Sequence, residues 1–224
     1  MSAYKNNPEL IQRALANEPG AWDQLLDAWR PVILRWTRRM AGGRVDPHDV
    51  LQDVSVLIWT HLHTVRSPER TFPSWLYRVT QREIMRRRRR AWVRRVMLMD
   101  SPPDRSDPAL GPEQNAQMSE SARIVEQILQ KLPDAQREVM VLHELEGLNQ
   151  REVAEMLDVK LGTVKSRLRL ARVRFEREAR ELMPPGDDQD GGDRKDGAVL
   201  TFKNPSNNPS DLPFVGLVSV GGGR

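Results

Sequence analysis

Residues 149–174, NQREVAEMLDVKLGTVKSRLRLARVR, carry the strongest local pattern in the chain. Asn149 followed three residues later by Glu152 is typical of a capped helix start, so a short helix is predicted to follow it. A three-residue turn, 158–160, then precedes a longer and basic helix. This order predicts a helix-turn-helix. Its small core is expected to consist of Val153, Ala154, Leu157, Val159, Val164 and Leu168.

The outer face of the second helix is predicted to be polar and basic near its N-terminal end. The side chains expected there are Thr163, Lys165, Ser166, Arg167 and Arg169. That end of a recognition helix enters the major groove, where Arg and Lys reach guanine edges and Ser serves either base. The pattern therefore predicts DNA binding. The alternative is an amphipathic helix pair whose outside happens to be basic.

Before this segment, Gly and Pro punctuate a mostly helical pattern. A short helix is predicted from Pro8 to about residue 17, and a longer one from about residue 20 to 40. On the longer helix a tryptophan recurs every seven residues, which predicts one buried face. The residues of that face are Trp22, Leu25, Leu26, Trp29, Val32, Ile33 and Trp36.

Two further helix starts follow in the first half of the chain. Asp46 before Pro47, with an acid in the first turn, predicts a helix that runs to about His63. Residues 67–70 are predicted to form a loop. Thr71, ahead of Phe72-Pro73, is then expected to start a helix that continues into a run of arginines.

The punctuation divides the chain into four parts. Residues 1–99 are predicted to form one helical domain and 118–183 a second one. Between them, 100–117 is rich in Pro and acidic residues and is expected to be a flexible linker. Residues 184–224 are rich in Gly, Asp, Asn, Pro and Ser, so a disordered tail is predicted, with an apolar exception at 214–220. The predicted fold class is all-α.

The distribution of charge points to a polyanionic partner. The formal net charge is +4, but the fourteen residues 82–95 contain eight Arg and one Glu. A scattered run of charge is usually a solvated helix face. A cluster of this density, with Trp92 and Ile84 interleaved, favours nucleic acid instead.

Several classes of function are disfavoured by what the sequence lacks. Cys is absent, which excludes disulfides, thiolate zinc sites and a Cys nucleophile. The four His (His48, His61, His63 and His143) lack the spacing of metal ligands, and no phosphate-binding Gly-rich loop or nucleophile elbow precedes a helix. We therefore expect no metal, no cofactor and no enzymatic activity. Neither a signal peptide nor a membrane-spanning run is present, so a cytoplasmic location without membrane insertion is expected.

Residues from about 20 to 180 resemble a bacterial RNA polymerase sigma factor of the extracytoplasmic-function (ECF) type, in the sigma-70 family. DPHDVLQDVSVLIWTHLHTVR from Asp46, with FPSWLYRVTQREIMRRRRR from Phe72, resembles the second conserved region of that family. LPDAQREVMVLHELEGLNQREVAEMLDVKLGTVKSRLRLAR from Leu132 resembles the fourth. Response-regulator output domains share the later stretch alone. The two stretches in this order, joined by an acidic linker, are much more specific.

The resemblance implies a function and its partners. Such a factor binds core RNA polymerase, through a coiled coil of the largest subunit and through the flap, and directs it to promoter DNA. An anti-sigma factor is a further candidate partner. By the same resemblance, the linker would thread toward the active-site and RNA-exit channels of the polymerase.

The resemblance also assigns site residues. The positions that match the polymerase-binding helix are Asp46, Asp49, Gln52 and Asp53. Those that match the part recognising and melting the minus-ten element are Arg66, Arg70, Trp75, Tyr77, Arg78, Arg82 and Arg86. Aromatic faces can stack on unpaired bases there while Arg neutralises the backbone. Core packing is the alternative for Trp75 and Tyr77, and for Trp75 it is the favoured one. Thr163, Lys165, Ser166, Arg167 and Arg169 match the reader of the minus-thirty-five element. Leu170 departs from the family, which frequently has a basic residue there.

Two other classes of function compete with a sigma factor. The first is a stand-alone helix-turn-helix regulator that does not bind polymerase. The acidic helix start at 46–53 argues against it, because such a regulator needs no carboxylates beside a basic helix. The second is a nucleic-acid-processing enzyme, which the lack of carboxylate, His and metal clusters disfavours.

Overall fold

A computed structural model of the chain describes residues 6–43, 45–98, 120–182, 198–203 and 214–219. The described helices belong to two compact units. The first contains helices α1 (Pro8–Leu15), α2 (Ala21–Ala41), α3 (Pro47–His61) and α4 (Pro68–Leu98), with a 3-10 turn at Leu62–Thr64. The second contains α5 (Glu120–Lys131), α6 (Asp134–Met140), most of α7 (Gln150–Leu157) and α8 (Leu161–Leu182). The all-α class predicted for the two domains is confirmed.

An aromatic cluster forms the core of the first unit. Trp29 and Trp36, seven residues apart on α2, are 4% and 0% exposed, as the periodicity predicts. Trp29 packs edge-on against Phe72 at 5.3 Å between ring centroids, and Trp36 packs edge-on against Tyr77 at 5.1 Å. Trp22 belongs to the same stripe but lies at its margin, where its ring contacts Trp59 at 4.7 Å. These contacts join α2 to α3 and α4.

Helix α4 begins earlier than the sequence predicts. Residues 68–70 are helical rather than part of a loop, because Pro68 takes the first helical position, where its missing N–H costs nothing. The Ser67 carbonyl accepts hydrogen bonds from the backbone N–H groups of Arg70 and Thr71 at 3.0 and 3.1 Å. The predicted start signal at Phe72-Pro73 therefore lies inside the helix.

The interior Pro73 leaves one helical carbonyl without its usual donor. A proline has no N–H, so the carbonyl four residues earlier, at Glu69, receives no helical hydrogen bond from it. The side-chain amide of Asn6 donates to that oxygen at 2.6 Å. A residue 63 positions away thereby satisfies the group that Pro73 would leave unpaired.

In the second unit, α6 continues directly into a π-helical turn, Val141–Leu145. The Glu146 N–H reaches back five residues to the Val141 carbonyl at 2.9 Å, and Gly147 ends the turn with φ of 71°. Packed around this segment are the buried side chains Ile128, Leu129, Leu132, Val139, Met140, Val153, Val164, Leu168 and Phe175.

A buried arginine closes the C-terminal end of α5. Arg137, 5% exposed, donates from Nε to the Leu129 carbonyl at 2.7 Å and from Nη2 to the carbonyls of Gln130 and Leu132 at 3.1 and 2.8 Å. Its Nη1 also pairs with Asp134 at 2.9 Å. The last carbonyls of a helix lack intrahelical partners, and a cation is favourable at that end of the helix dipole. Arg137 therefore fixes α5 against α6.

The structure differs from the predicted disordered tail at two strands. β1 (Ala198–Lys203) pairs antiparallel with β2 (Phe214–Ser219), with Ala198 opposite Ser219 and Lys203 opposite Phe214. Both segments, AVLTFK and FVGLVS, are rich in β-branched and aromatic residues, which suit a strand ladder. The remainder of 184–224 and the predicted linker 100–117 lie outside the described residues. No described helix is both long and apolar enough to span a bilayer.

We predict that Arg137→Met lowers the free energy of unfolding by about 2–4 kcal/mol, because it removes a charged donor from three carbonyls at the end of α5 and from the Asp134 carboxylate. Arg137→Lys should recover only part of this loss, since an ammonium cannot span all four acceptors. Denaturant unfolding of the full chain measures the effect, and Arg151→Met, at an exposed site on α7, is the matched control. An Arg137→Met variant as stable as the control would contradict the assigned role.

Candidate nucleic-acid interface

Local hydrogen bonds position the helix-turn-helix. The Asn149 Oδ1 accepts from the N–H groups of Arg151 and Glu152 at 2.9 and 3.1 Å, and the Glu152 carboxylate accepts from the Asn149 N–H at 2.8 Å. This is the reciprocal capping box that the sequence predicts. In the turn, Asp158 has φ of 54° and the Val159 N–H donates to the Ala154 carbonyl at 3.0 Å. The predicted three-residue turn before α8 is confirmed.

The side chains of α8 separate into a buried and an exposed face. Val164, Leu168, Ala171 and Phe175 are buried against the rest of the unit. At the opposite side, Lys165, Ser166 and Arg169 are exposed, as the sequence predicts for a DNA-facing surface. Thr163 is half-buried, and its carbonyl accepts from the Ser166 hydroxyl at 3.0 Å. Beside Gly162, an added Cβ would meet no atom within 4 Å, so a partner can approach the backbone closely.

Arg167 does not share that exposed face. It is half-buried and lies about 160° around the helix from Arg169, given a rotation of roughly 100° per residue. Its charge acts on Glu138 of α6. Burial raises the pKa of Glu138, Asp134 raises it further, and the charges of Arg167 and Arg137 oppose that rise. Arg167 is therefore placed toward α6, apart from Lys165 and Ser166.

The exposed face of α8 also includes two apolar residues. The sequence alone does not assign them to the interface. Leu170 is 43% exposed and Val173 is 59% exposed. Their spacing from Ser166 and Arg169 is the signal that could have identified them. Arg172, in contrast, forms an ion pair within the unit. Its Nε and Nη2 donate to Glu144 Oε1 at 2.9 and 2.6 Å.

The predicted polymerase-binding carboxylates of α3 are engaged by arginines of α4. Asp53 Oδ2 accepts from Arg86 Nη2 at 2.9 Å and from Arg87 Nη2 at 2.6 Å. Asp49 Oδ2 accepts from Arg87 Nη1 at 2.7 Å. We refer to Asp49, Asp53, Arg86 and Arg87 as the ion-pair cluster. Arg86 also pairs with the buried Glu83, so α3 and α4 are joined by a continuous set of charges.

The pKa of Arg87 is affected by the same contacts. Partial burial acts to lower its pKa, yet the hydrogen bond and charge of Asp53, together with those of Asp49, outweigh burial and raise the pKa. The side chains of Arg87 and Asp53 are 26% and 30% exposed. Water therefore screens this pair less than it screens a fully exposed one.

The remaining predicted residues of α3 have different surroundings. Asp46 caps the helix by accepting from the His48 N–H at 2.8 Å. Gln52 is exposed, and Val56 and Trp59, which the sequence reasoning passed over, are each 57% exposed. We refer to Asp49, Gln52, Val56 and Trp59 as the α3 outer stripe, because their spacing of three or four residues places them on one side of the helix.

Of the residues predicted for the minus-ten element, most lie at the surface. Arg66, Arg70, Arg78, Arg82 and Arg86 are exposed, although Arg86 belongs to the ion-pair cluster. Trp75 is half-buried and stacks on Phe72 at 5.9 Å between centroids.

Tyr77 requires a correction. It is 1% exposed, packs against Trp36, and its hydroxyl accepts from the Gln81 amide at 2.9 Å. A side chain enclosed in this way has no free face for a base. The alternative of core packing therefore applies to Tyr77, and Trp75 is the more accessible of the two aromatic rings.

The described residues contain no group of three or more His, Asp or Glu side chains arranged to hold a metal ion. The residues singled out on α4 and α8 carry guanidinium, ammonium, hydroxyl and aromatic groups. These bind phosphates, base edges and unpaired bases.

Comparison with known proteins identifies the family. The family model described as Sigma-70 region 2 matches residues 25–94, and that described as Sigma-70, region 4 matches residues 122–175. ECF RNA polymerase sigma factor SigM of Mycobacterium tuberculosis (strain Erdman) is 30% identical over 173 residues, which cover 77% of this chain and 84% of SigM.

Two solved structures are similar to the chain. CnrH, solved in complex with the cytosolic domain of CnrY, is 26% identical with a TM-score of 0.54, covering 76% of this chain and 95% of CnrH. The sigma factor RpoE of Bartonella quintana, solved with the anti-sigma factor NepR, has a TM-score of 0.54 over 71% of this chain and 96% of RpoE. At 20% identity, this second likeness shows the fold alone.

The chain therefore belongs to the ECF sigma factors, with sigma-70 regions 2 and 4 in chain order. It is a sigma factor that directs promoter recognition in transcription initiation. A stand-alone helix-turn-helix regulator is not favoured. Such a regulator needs only the DNA-binding region 4, whereas this chain also contains region 2.

We predict that Asp53→Asn and Arg87→Met each lower the free energy of unfolding by about 1–2 kcal/mol, because each removes one member from a set of partly buried, mutually paired charges. The double variant should lose less than the sum of the two, since the partners act together. Denaturant unfolding of the four proteins measures the coupling. The exposed pair Asp27–Arg30 on α2 is the control and should show no measurable coupling. Additive losses at Asp53 and Arg87 would contradict the proposed joining of α3 to α4.

We predict that Arg169→Ala reduces discrimination at one base pair of the minus-thirty-five element by about 1–3 kcal/mol, as expected for a lost bidentate base contact. Arg167→Ala should weaken binding to all sequences alike, because Arg167 lies off the exposed face. Affinities for a promoter series with single substitutions measure both effects, and the exposed Arg174→Ala is the control. Loss of discrimination in Arg167→Ala but not in Arg169→Ala would reverse the assignment.

Proposed function

We propose that the chain binds core RNA polymerase through α3, the minus-ten element through α4 and the minus-thirty-five element through α8. The polymerase carries out the chemistry, and the chain itself has no catalytic activity. Its working location is then the cytoplasm, where the polymerase acts. The α3 outer stripe is the observation that carries the proposal, because it is the feature that a DNA-binding protein without a protein partner does not need.

The α3 outer stripe has the composition of a protein interface. Val56 and Trp59 expose more than half of their surface beside Gln52 and Asp49, whereas the opposite side of α3 buries Val50, Val54 and Ile58. Aromatic and apolar side chains that a partner covers contribute most of the binding energy in such interfaces. We assign this stripe to the coiled coil of the polymerase largest subunit.

The ion-pair cluster modifies the role predicted for the carboxylates. Asp53 is held by two arginines, so its charge is largely satisfied within the unit. Asp49 is 55% exposed despite its contact with Arg87 and can still face a partner. Within the proposed interface, Asp49 and Gln52 supply polar contacts, and Asp53 orients α3.

On α4 and α8 the proposal rests on exposed cations and on one accessible aromatic ring. Arg70, Arg78 and Arg82 can neutralise the backbone of a melted strand, while Trp75 offers an edge or face to a base. Lys165, Ser166 and Arg169 lie where a recognition helix meets the major groove. Region 4 would also contact the polymerase flap, as the family resemblance implies.

An anti-sigma factor is proposed as a further partner. CnrH was solved with the cytosolic domain of CnrY, and RpoE with the anti-sigma factor NepR. Both relatives thus pair with a second protein. The α3 outer stripe offers such a protein an apolar surface. A protein bound there would compete with the polymerase for the same residues.

Run-off transcription tests the proposed function directly. Purified full-length chain is combined with bacterial core RNA polymerase and a library of upstream DNA regions from the source genome. The proposal expects a subset of regions to yield defined transcripts only when the chain is present. Absence of chain-dependent transcripts, or equal transcription from every region, would contradict it. The promoter recovered in this way is the probe for the variants below.

We predict that Val56→Asp lowers affinity for core polymerase at least about tenfold, because it places an unpaired charge in a desolvated contact. Val173→Asp is the matched control, since the substitution is the same and the exposed fractions are close, at 57% and 59%. It should leave polymerase affinity unchanged and weaken promoter binding. Fluorescence anisotropy with core polymerase, followed by promoter binding, separates the two effects. Unchanged polymerase affinity for Val56→Asp would remove α3 from the interface.

A further inference from the structure

The first turn of α4 is held to the segment before α1 by a long-range hydrogen bond. The Asn6 side-chain amide donates to the Glu69 carbonyl at 2.6 Å, across 63 positions of sequence. That carbonyl has no helical donor, because the residue four positions later is Pro73. Helix α1 in turn packs against both α2 and α4. The bond therefore connects the start of α4 to the body of the unit.

Helix α1 gives Asn6 a fixed base. Leu10, Ile11 and Ala14 of this helix are buried in the core of the first unit. Asn7 caps the helix, since its Oδ1 accepts from the Leu10 N–H at 3.1 Å. Asn6 precedes this cap directly and is half-buried. Its amide is thus presented to α4 by a packed helix rather than by a free chain end.

The backbone just before α4 depends on the first turn of that helix. Ser67 has φ of 49°, in the left-handed region that is unfavourable for a residue with a Cβ. Such a conformation persists where surrounding contacts hold it. Here the Ser67 carbonyl accepts from the N–H groups of Arg70 and Thr71, and the Thr71 hydroxyl donates to the Arg66 carbonyl at 2.9 Å. Arg66 and Ser67 therefore move with the first turn.

The rest of α4 has its own anchors. From Phe72 onward the helix is attached to α2 by the ring contacts of Phe72 and Tyr77. Between this anchored part and the first turn, Pro73 removes one backbone hydrogen bond. The direction of the first turn is thus less constrained by the helix itself, and the bond from Asn6 supplies part of the missing constraint.

We propose that Asn6 is a positioning residue for base discrimination at the minus-ten element. It does not touch DNA. By holding the Glu69 carbonyl, it sets the direction in which the exposed side chains of Arg66 and Arg70 leave the surface. Side chains that read a ligand must be held to within about 0.5 Å by such supporting contacts. Loss of the bond therefore reduces the difference in affinity between correct and incorrect bases.

This inference rests on the proposed function, because it concerns the residues assigned there to the minus-ten element. It adds a residue that the family match does not contain, since the Sigma-70 region 2 model begins at residue 25. Among the described residues, none donates a hydrogen bond to the enclosed Oδ1 of Asn6. The contribution of this amide is consequently that of a donor, which Asn6→Leu removes while keeping a similar side-chain size.

The test uses holoenzyme assembled from the full chain and core polymerase. Affinities are measured for the promoter recovered by run-off transcription and for versions with single substitutions in the minus-ten or minus-thirty-five element. Asn6→Leu should reduce discrimination at one or two minus-ten positions about three- to tenfold. Discrimination at the minus-thirty-five element and affinity for core polymerase should stay at the wild-type values. Because discrimination is a ratio of two affinities of one preparation, a fraction of unfolded protein cancels from it.

Asn17→Leu is the matched control for loss of a side-chain hydrogen bond in the same unit. The substitution is identical, and it removes the contact in which Asn17 Oδ1 accepts from Trp22 Nε1 at 3.2 Å. This contact does not involve α4, so minus-ten discrimination should be unchanged. An equal loss for Asn6→Leu and Asn17→Leu would overturn the proposal by assigning the effect to general destabilisation.

Pro73→Ala provides a rescue that a purely structural role of Asn6 would not show. Alanine has an N–H, so it supplies the Glu69 carbonyl with the usual helical hydrogen bond. In the Pro73→Ala background, Asn6→Leu should leave minus-ten discrimination unchanged. Each comparison is made within one background, since Pro73 is itself buried. A loss of the same size in both backgrounds would overturn the proposal.

The proposal and the proposed function fail in different ways. If wild-type holoenzyme discriminates at the minus-ten element and Asn6→Leu discriminates equally well, the positioning role alone is overturned. If wild-type holoenzyme shows no discrimination at that element, the proposed function is overturned, and this inference with it.

Discussion

The carboxylate of Asp53 is the contact on which the surfaces of the first unit depend. By accepting from Arg86 and Arg87, it fixes how α3 and α4 are rotated against each other. The α3 outer stripe and the exposed arginines Arg78 and Arg82 of α4 are therefore held in place by the same few charges. In the proposed function, the first of these helices presents an apolar face to a protein and the second presents a basic face to DNA. Asp53, which the sequence predicts to bind polymerase, is also paired with two arginines inside its own unit.

In the second unit, side chains at the end of α5 hold that helix against its neighbours, and backbone carbonyls supply most of the acceptors. Arg137 donates to three carbonyls at the end of α5, and Lys131 at that same end pairs with Glu178 of α8 at 3.0 Å. Hydrogen bonds from Arg177 and Lys131 lower the pKa of Glu178, so this carboxylate is held in its charged form. The end of α5 is thereby connected to α6 and α8, and Lys165, Ser166 and Arg169 of α8 take no part in these contacts.

Local signals predicted most of this architecture. The capping box at Asn149, the turn at 158–160 and the cap at Asp46 each depend on residues within five positions of one another, and the structure contains all three. The strand pair after residue 197 also had a local signal, in the apolar segment at 214–220. The Gly, Asp and Pro content of the surrounding residues 184–224 outweighed this signal, so disorder was predicted for the whole tail.

Other features depend on contacts that local patterns do not contain. Trp75 and Tyr77 are two residues apart on one helix, so spacing places them on different sides without saying which side faces Trp36. Arg86 and Arg87 are the arginines of the run that pair with Asp53, which lies more than 30 positions earlier in the chain. The sequence does not show that Arg137 is buried. Its acceptors are backbone carbonyls, which every residue has, so no residue type in the sequence marks them.

The hydrogen bond from Asn6 to the Glu69 carbonyl has an evolutionary consequence. A donor at position 6 is valuable because position 73 is a proline. If a lineage replaced that proline with any other residue, its own N–H would supply the missing bond and Asn6 would be released from this constraint. The two positions should thus covary among relatives: an amide side chain before α1 should accompany the proline, and variation should follow its loss.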